Sequence, residues 1–327
     1  MIARRRLMTM TGASLAAIAL TRPARAWAPY KQARILVGFP PGGSLDVVAR
    51  MLAEQIKGYA SSIIVENRPG AGGRVALETL KTASPDGAIF ALTPGDQLAL
   101  FPHIYKRLPY EALRDFTPVS TVCSVQFLLT IGPMVPAGVT TLNGFLDWCR
   151  ANPKLASFGT PGAGTRQHFM GMGLARAARI ELVHVPYKGA PQAMQDLLGG
   201  HIAANISVAS NALPGVGAGH IRALVTSAAK RSKLLPQVPT AQEAGYASFE
   251  AVETFGLLLP RDAPIEAVGA LNAATKQALA SSTMLQGLGK LGFEVVGSTP
   301  SEFAKAIKSE LETWSLTVRA TGFQALD

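Results

Sequence analysis

Only two cysteines, Cys123 and Cys149, occur in the 327 residues. Their spacing matches neither a CxxC redox pair nor a zinc-ligand pattern, so a disulfide framework and a structural metal are both excluded as organising devices. Free buried thiols are the expected state, although the two could pair in an oxidising compartment. Charged residues make up 16% of the chain and aromatic residues 7%, and no run of Lys or Arg is interleaved with aromatics. Nucleic-acid recognition is therefore not expected. G-x-S-x-G, H-E-x-x-H and a loop ending Gly-Lys-Ser/Thr are all absent. With them go the usual local signatures of a serine hydrolase, a zinc protease and a P-loop enzyme. The sequence offers no catalytic residue, no metal ligand set and no cofactor motif.

What is present begins with an address. Arg4-Arg5-Arg6 precedes Leu7-Met8, a weakly apolar segment to Leu20, and Ala24-Arg25-Ala26. These read as the n-region, h-region and A-x-A site of an export signal over residues 1–26, cleaved after about Ala26. Arg4-Arg5-x-Leu7-Met8 resembles a twin-arginine signal, with Ala3 in place of the usual Ser or Thr; a general secretory signal is the competing reading. The apolar segment is too short to span a bilayer. The full chain carries 31 basic and 21 acidic residues. Removing the five arginines of residues 1–26, which contain no acid, leaves 26 against 21, a mild net charge of +5. That suits an anionic small ligand but does not require one.

The most informative stretch is Ile35 to Arg50. Ile35-Leu36-Val37 reads as a buried strand, Pro40-Pro41-Gly42-Gly43 stops it, and Ser44 opens a helix with apolar positions 45, 48, 52 and 56 on one face. A strand that feeds a Gly-rich turn into a helix leaves free N–H groups at the positive end of the helix dipole, which makes an anion site. A second loop repeats the pattern: Ser157-Phe158 runs into Gly159-Thr160-Pro161-Gly162-Ala163-Gly164-Thr165 and a helix over 166–178. Two such cradles far apart in sequence imply two lobes that offer helix N-termini to one ligand. About 300 mature residues also exceed one ordinary core.

Strands are expected over 61–67, 88–92, 125–131, 182–187, 202–208, 221–226 and 255–260. Helices are expected over 74–83, 141–151 and 190–198, and near 264–280, 281–291 and 300–320. Residues 109–120 and the Gly-rich stretch after Val208 read as irregular connections. The alternation is that of an α/β protein with a largely parallel sheet.

Several phrases in this order resemble the Bug family of extracytoplasmic solute receptors, which serve tripartite tricarboxylate transporters. They are Phe39-Pro40-Pro41-Gly42-Gly43-Ser44-x-Asp46, Val65 to Gly73, Ser84-Pro85-Asp86-Gly87, the 159–168 loop with His168, His184-Val185-Pro186-Tyr187-Lys188-Gly189, Asp196 to Gly200, and Pro236-x-Val238-Pro239-Thr240-x-x-Glu243-Ala244-Gly245. The resemblance implies a two-lobed periplasmic-binding-protein fold (type II, Venus flytrap) that closes on a small carboxylate. Residues 28–124 plus 251–327 would form lobe 1, and residues 125–250 lobe 2. It implies a monomeric periplasmic protein whose partners are the transporter's membrane components or, alternatively, a membrane sensor. An exported enzyme acting on a carboxylic acid is the remaining alternative. Carried over residue by residue, the ligand contacts would be Phe39, Gly43 and Ser44 in one lobe, and Thr160, Gly162, Gly164, Thr165 and His168 in the other. Tyr187 and Ser207 would line the pocket.

Asp46, Glu66, Asn67 and Arg68 read as turn-fixing residues, and His168 either donates to the ligand or holds its own loop. The resemblance places an Asp of amino-acid-binding members at Ser207. A hydroxyl cannot balance an ammonium, so the sequence alone favours a ligand without a free amine.

Overall fold

The computed structural model describes residues 30–321 and residue 323; the proposed export signal lies outside them. The chain begins with β1 (Ala33–Val37), α1 (Ser44–Gln55), β2 (Ile63–Asn67), α2 (Arg74–Lys81) and β3 (Ile89–Pro94), so the opening strand–turn–helix falls where the periodicity puts it. Leu45, Val48, Leu52 and Ile56 are all buried, which is why the amphipathic stretch settles as a helix on this sheet. Three short helices follow, α3 (Asp96–Ala99), α4 (Phe101–Ile104) and α5 (Ala112–Asp115). They lead into a 16-residue strand, β4 (Phe116–Ile131).

Next come α6 (Leu142–Ala151), β5 (Ser157–Thr160), α7 (Arg166–Ala178), β6 (Val183–Pro186), α8 (Ala190–Leu198) and β7 (Ala204–Val208). They are followed by α9 (Ala209–Gly217), β8 (Arg222–Thr226) and β9 (Val252–Pro260). The chain ends with α10 (Ile265–Leu279), α11 (Ser282–Lys290), β10 (Glu294–Val295) and α12 (Pro300–Thr321).

The strand order β2-β1-β3-β9-β4-β7-β5-β6, with β8 and β10 also on β4, divides the sheet into two halves. Strands β1, β2 and β3 pair in parallel, as do β5, β6 and β7. β4 belongs to both halves. Over Phe116–Gln126 it runs antiparallel to β9, and over Phe127–Ile131 it pairs antiparallel with β7 and β8. β9 also pairs antiparallel with β3, so two antiparallel strands stand between the parallel sets. This is the two-lobed α/β architecture of periplasmic binding proteins.

Three expectations need correcting. The sheet is mixed rather than largely parallel, because β4 and β9 run antiparallel through its middle and β8 and β10 pair antiparallel with β4. Residues 116–120 are the start of β4 rather than irregular chain; Val119 and Val122 are fully buried, but Thr117, Ser120, Thr121 and Ser124 interrupt the apolar pattern that marks 125–131. The stretch after Val208 is the helix α9. Its Ala209 and Ala212 are buried, and Pro214 sits within it. Cys123 and Cys149 are free, buried thiols, and burial raises the thiol pKa of both. No helix among the described residues is long and apolar enough to cross a membrane.

Candidate functional site

Three helices begin around one cavity: α1 after Gly43, α7 after Thr165, and α8 after Gly189. The cavity encloses about 640 Å³ of empty space, part of it open to solvent. Phe39, Gly43, Ser44 and Leu45 line it from the α1 turn, Pro161, Thr165 and Gln167 from α7, and Ala190 and Pro191 from α8. Phe101, Val208 and Phe255 add apolar walls, while Gln97, Asn211, Asp96 and Glu253 add polar ones.

The α1 turn is held from behind. Asp46, only 2% exposed, accepts hydrogen bonds from Gly42 N (3.0 Å), Arg50 (2.9 Å) and Asn67 Nδ2 (2.9 Å). Asn67 Nδ2 also donates to Phe39 O at 3.0 Å. Burial alone would raise the Asp46 pKa, but the hydrogen bonds from Arg50, Gly42 and Asn67 bring it below the usual carboxylate value. Asp46 and Asn67 thus fix the turn, and the N–H groups of Gly43, Ser44 and Leu45 donate to no acceptor among the described residues. Gly42 has φ of +83°, a conformation that favours glycine. The Ser44 hydroxyl accepts from Ser210 of α9 at 3.0 Å, linking the two halves beside the cavity.

Of the ten residues expected at the ligand, Phe39, Gly43, Ser44 and Thr165 line this cavity, and six do not. Thr160 Oγ1 is fully buried and donates to Gly162 O at 2.9 Å, while His184 Nε2 lies 2.7 Å from it. Gly162 O also accepts from Thr165 Oγ1 at 2.9 Å. Gly164 N donates to His168 Nδ1 at 3.2 Å, so His168 braces its own loop. The His168 and His184 rings stack with centroids 3.7 Å apart. Desolvation pushes His168 down to about 4; desolvation and then the neighbouring His168 push His184 to about 3. Both rings are neutral at pH 7. The Tyr187 hydroxyl donates to Asp196 at 2.7 Å.

Ser207 is fully buried in β7, and its Oγ, like the Asn205 amide, has no hydrogen-bond partner among the described residues. Val208 and Asn211 reach the cavity instead. Ser207 therefore makes no contact at this cavity with which to select against an amine.

An ionic cluster that no sequence motif announces lies at the other side. Arg166, the first residue of α7, donates its backbone N–H to Asp96 Oδ2 (3.0 Å) and Nε to Asp96 Oδ1 (2.9 Å). Its Nη2 reaches Glu310 of α12 at 3.0 Å, and its guanidinium lies 4.9 Å from the Trp314 ring centroid. Glu253 of β9 completes the group, with Oε1 3.4 Å from Asp96 N. Burial first, and the neighbouring Asp96 carboxylate second, hold Glu253 well above the usual carboxylate range; Arg166 opposes them. Glu310 is raised as well, chiefly by desolvation. Desolvation would lower the Arg166 pKa, but Asp96, Glu253 and Glu310 outweigh it. Asp96 and Glu253 are the paired carboxylates that no local motif announces, since 157 residues separate them. Among the described residues no group of three or more His, Cys, Asp or Glu is placed to hold a metal.

Two sheet halves joined by antiparallel strands, with helix N-termini opening on the space between, define a solute-binding protein of the periplasmic-binding class. Residues 48–323 match the model of the tripartite tricarboxylate transporter family receptor, and the chain belongs to that family. It is 31% identical to the protein BugT of Bordetella pertussis over 322 residues, covering 97% of this chain and 98% of BugT. The structure of the periplasmic binding protein BugD superposes with a TM-score of 0.86 at 27% identity, over 91% of this chain and all of BugD. R. palustris Rpa4515 with adipate gives a TM-score of 0.85 at 27% identity, over 90% of this chain and 98% of that one.

Proposed function

We propose that this chain is an extracytoplasmic receptor that closes two lobes on one small carboxylate and delivers it to the membrane components of a tripartite tricarboxylate transporter. The lobes would be residues 28–124 with 251–327, and residues 125–250; the change of β4 partners between Gln126 and Phe127 supports that division. The observation that carries the reading is the meeting of three helix N-termini at one cavity, with unengaged N–H groups at α1. Adipate in the Rpa4515 structure supports the ligand class. Both Asp96 oxygens are engaged by Arg166 and Glu253 packs against Asp96, so the two acids are fixed parts of the cavity wall, as a binding site requires.

A screen of mono-, di- and tricarboxylates by thermal unfolding tests the reading. A ligand present at a hundredfold excess over its Kd stabilises the native state by about 2.7 kcal/mol. At roughly 1.6 °C per kcal/mol for a chain of about 300 residues, Tm should rise by about 4 °C. The same ligand should reduce the radius of gyration in solution scattering. A flat screen would remove the carboxylate-receptor reading.

We further propose that residues 1–26 direct export to the periplasm, with Arg4-Arg5 as a twin-arginine pair. Replacing both with Lys should leave full-length precursor in the cytoplasm. Normal delivery of that variant would assign the protein to the general secretory route.

A further inference from the structure

The N-terminus of α7 already holds an anion, and the chain supplies it. The Asp96 carboxylate takes the Arg166 N–H on one oxygen and the guanidinium on the other, which is how a bound carboxylate sits at a helix N-terminus. Asp96 is 4% exposed and is held in place by these bonds. Glu253, 3% exposed, lines the cavity beside it, and the Arg166 guanidinium is shared by Asp96 and Glu310. Among the described residues, no Lys or Arg lines the cavity. Its two ends therefore differ: the α1 end presents N–H donors, and the Asp96–Glu253 end presents carboxyl oxygens.

We propose that Asp96 stands in for a second ligand carboxylate at α7, so that the cleft selects a monocarboxylate with a protonated amine at its far end over a dicarboxylate. The inference rests on the receptor reading above and reverses the ligand preference argued from Ser207. A second carboxylate at this end would add another acid to a group of three that shares a single guanidinium. An ammonium would instead be met by carboxyl oxygens. Its charge favours ionised Glu253, whose proton passes to solvent as the pair forms.

Calorimetric titration of the full mature chain with length-matched acids tests this. The pairs are succinate and 4-aminobutanoate, glutarate and 5-aminopentanoate, and adipate and 6-aminohexanoate, with butanoate, pentanoate and hexanoate as acids carrying neither group. The best-bound amino acid should bind at least tenfold more tightly than its dicarboxylate. Asp96→Ala, which vacates the α7 N-terminus, and the near-isosteric Glu253→Gln should each bring that ratio below threefold. Equal or tighter dicarboxylate binding by the native chain overturns the inference and leaves the receptor reading standing. A preference that survives in both variants overturns it as well. If none of the nine acids binds, the inference falls, and the receptor reading is decided separately by the broader thermal screen.

Discussion

Arg166→Met should destabilise the protein by about 3–5 kcal/mol at pH 8, the usual consequence of removing one partner from a buried ion group. Methionine keeps much of the stem that packs near Trp314, so the loss reports on charge more than on packing. Without the guanidinium, Asp96, Glu253 and Glu310 face one another uncompensated. The effect should depend on pH with a definite sign. Glu253 and Glu310 have folded-state pKa values raised above the ordinary 4.5, so in that range the folded chain binds more protons than the unfolded one. Stability from these groups is thus present at low pH and is lost as pH rises from about 4.5 through their folded values. Removing Arg166 raises those values further and steepens the loss. Urea unfolding of both proteins should show a gap that is small near pH 4.5 and largest at pH 8. An equal gap at both pH values would mean that the cluster is not the source of the destabilisation.

How much of this was legible beforehand follows from how local each feature is. The α1 cradle is written in consecutive residues, as an apolar strand, Pro-Pro-Gly-Gly and an amphipathic helix, and the structure has each in place. The α7 helix runs over Arg166–Ala178, directly after the Gly-rich loop that marks its start. The turn-fixing role of Asp46 and Asn67 was also readable, because a carboxylate in a first turn has a local physical meaning.

Long-range features were not readable. Asp96, Arg166, Glu253 and Glu310 lie on α3, α7, β9 and α12, and only the folded sheet brings them together. Nothing in Pro94-Gly95-Asp96 or Val252-Glu253-Thr254 announces a partner. The first half of β4 was hidden by its polar residues, which lie in a strand paired with β9 along one edge and β10 along the other. α9 was hidden by its Gly and Pro content, which argues for a loop until burial of Ala209 and Ala212 overrides it. The Lys188-Gly189-Ala190-Pro191 step did carry a usable signal, since Pro at the start of a helix marks an N-terminus, and that N-terminus also opens on the cavity.

Gly38→Ala should weaken both the fold and the site, by a route distinct from that of Arg166. Gly38 follows β1 and precedes Phe39, whose ring lines the cavity. A Cβ at Gly38 would lie 2.6 Å from both Cα and O of Gly73, and these are backbone atoms that no rotamer change can move aside. Gly73 cannot retreat easily. It has φ of +93°, and a Cβ placed on it would fall 2.0 Å from Gln97 Nε2. That amide is itself fixed, donating to Gly72 O at 2.9 Å while Thr93 Oγ1 donates to Gln97 Oε1 at 2.5 Å. The strain therefore passes into the Phe39–Gly43 turn. Overpacking of this kind costs about 3 kcal/mol. Displacement of the α1 N–H groups should also weaken binding of any carboxylate identified in the thermal screen by at least tenfold, about 1.4 kcal/mol. Gly43→Ala separates the two effects. Gly43 has φ of −78°, and its added Cβ would meet only Pro40 O at an ordinary 3.6 Å. That variant should keep its stability within about 0.5 kcal/mol and lose affinity, because the methyl group stands where a ligand approaches the N–H groups. Urea unfolding and calorimetry on both variants decide the matter. Unchanged affinity in Gly43→Ala would detach the α1 turn from the ligand, and unchanged stability in Gly38→Ala would show that the turn absorbs the methyl group without strain.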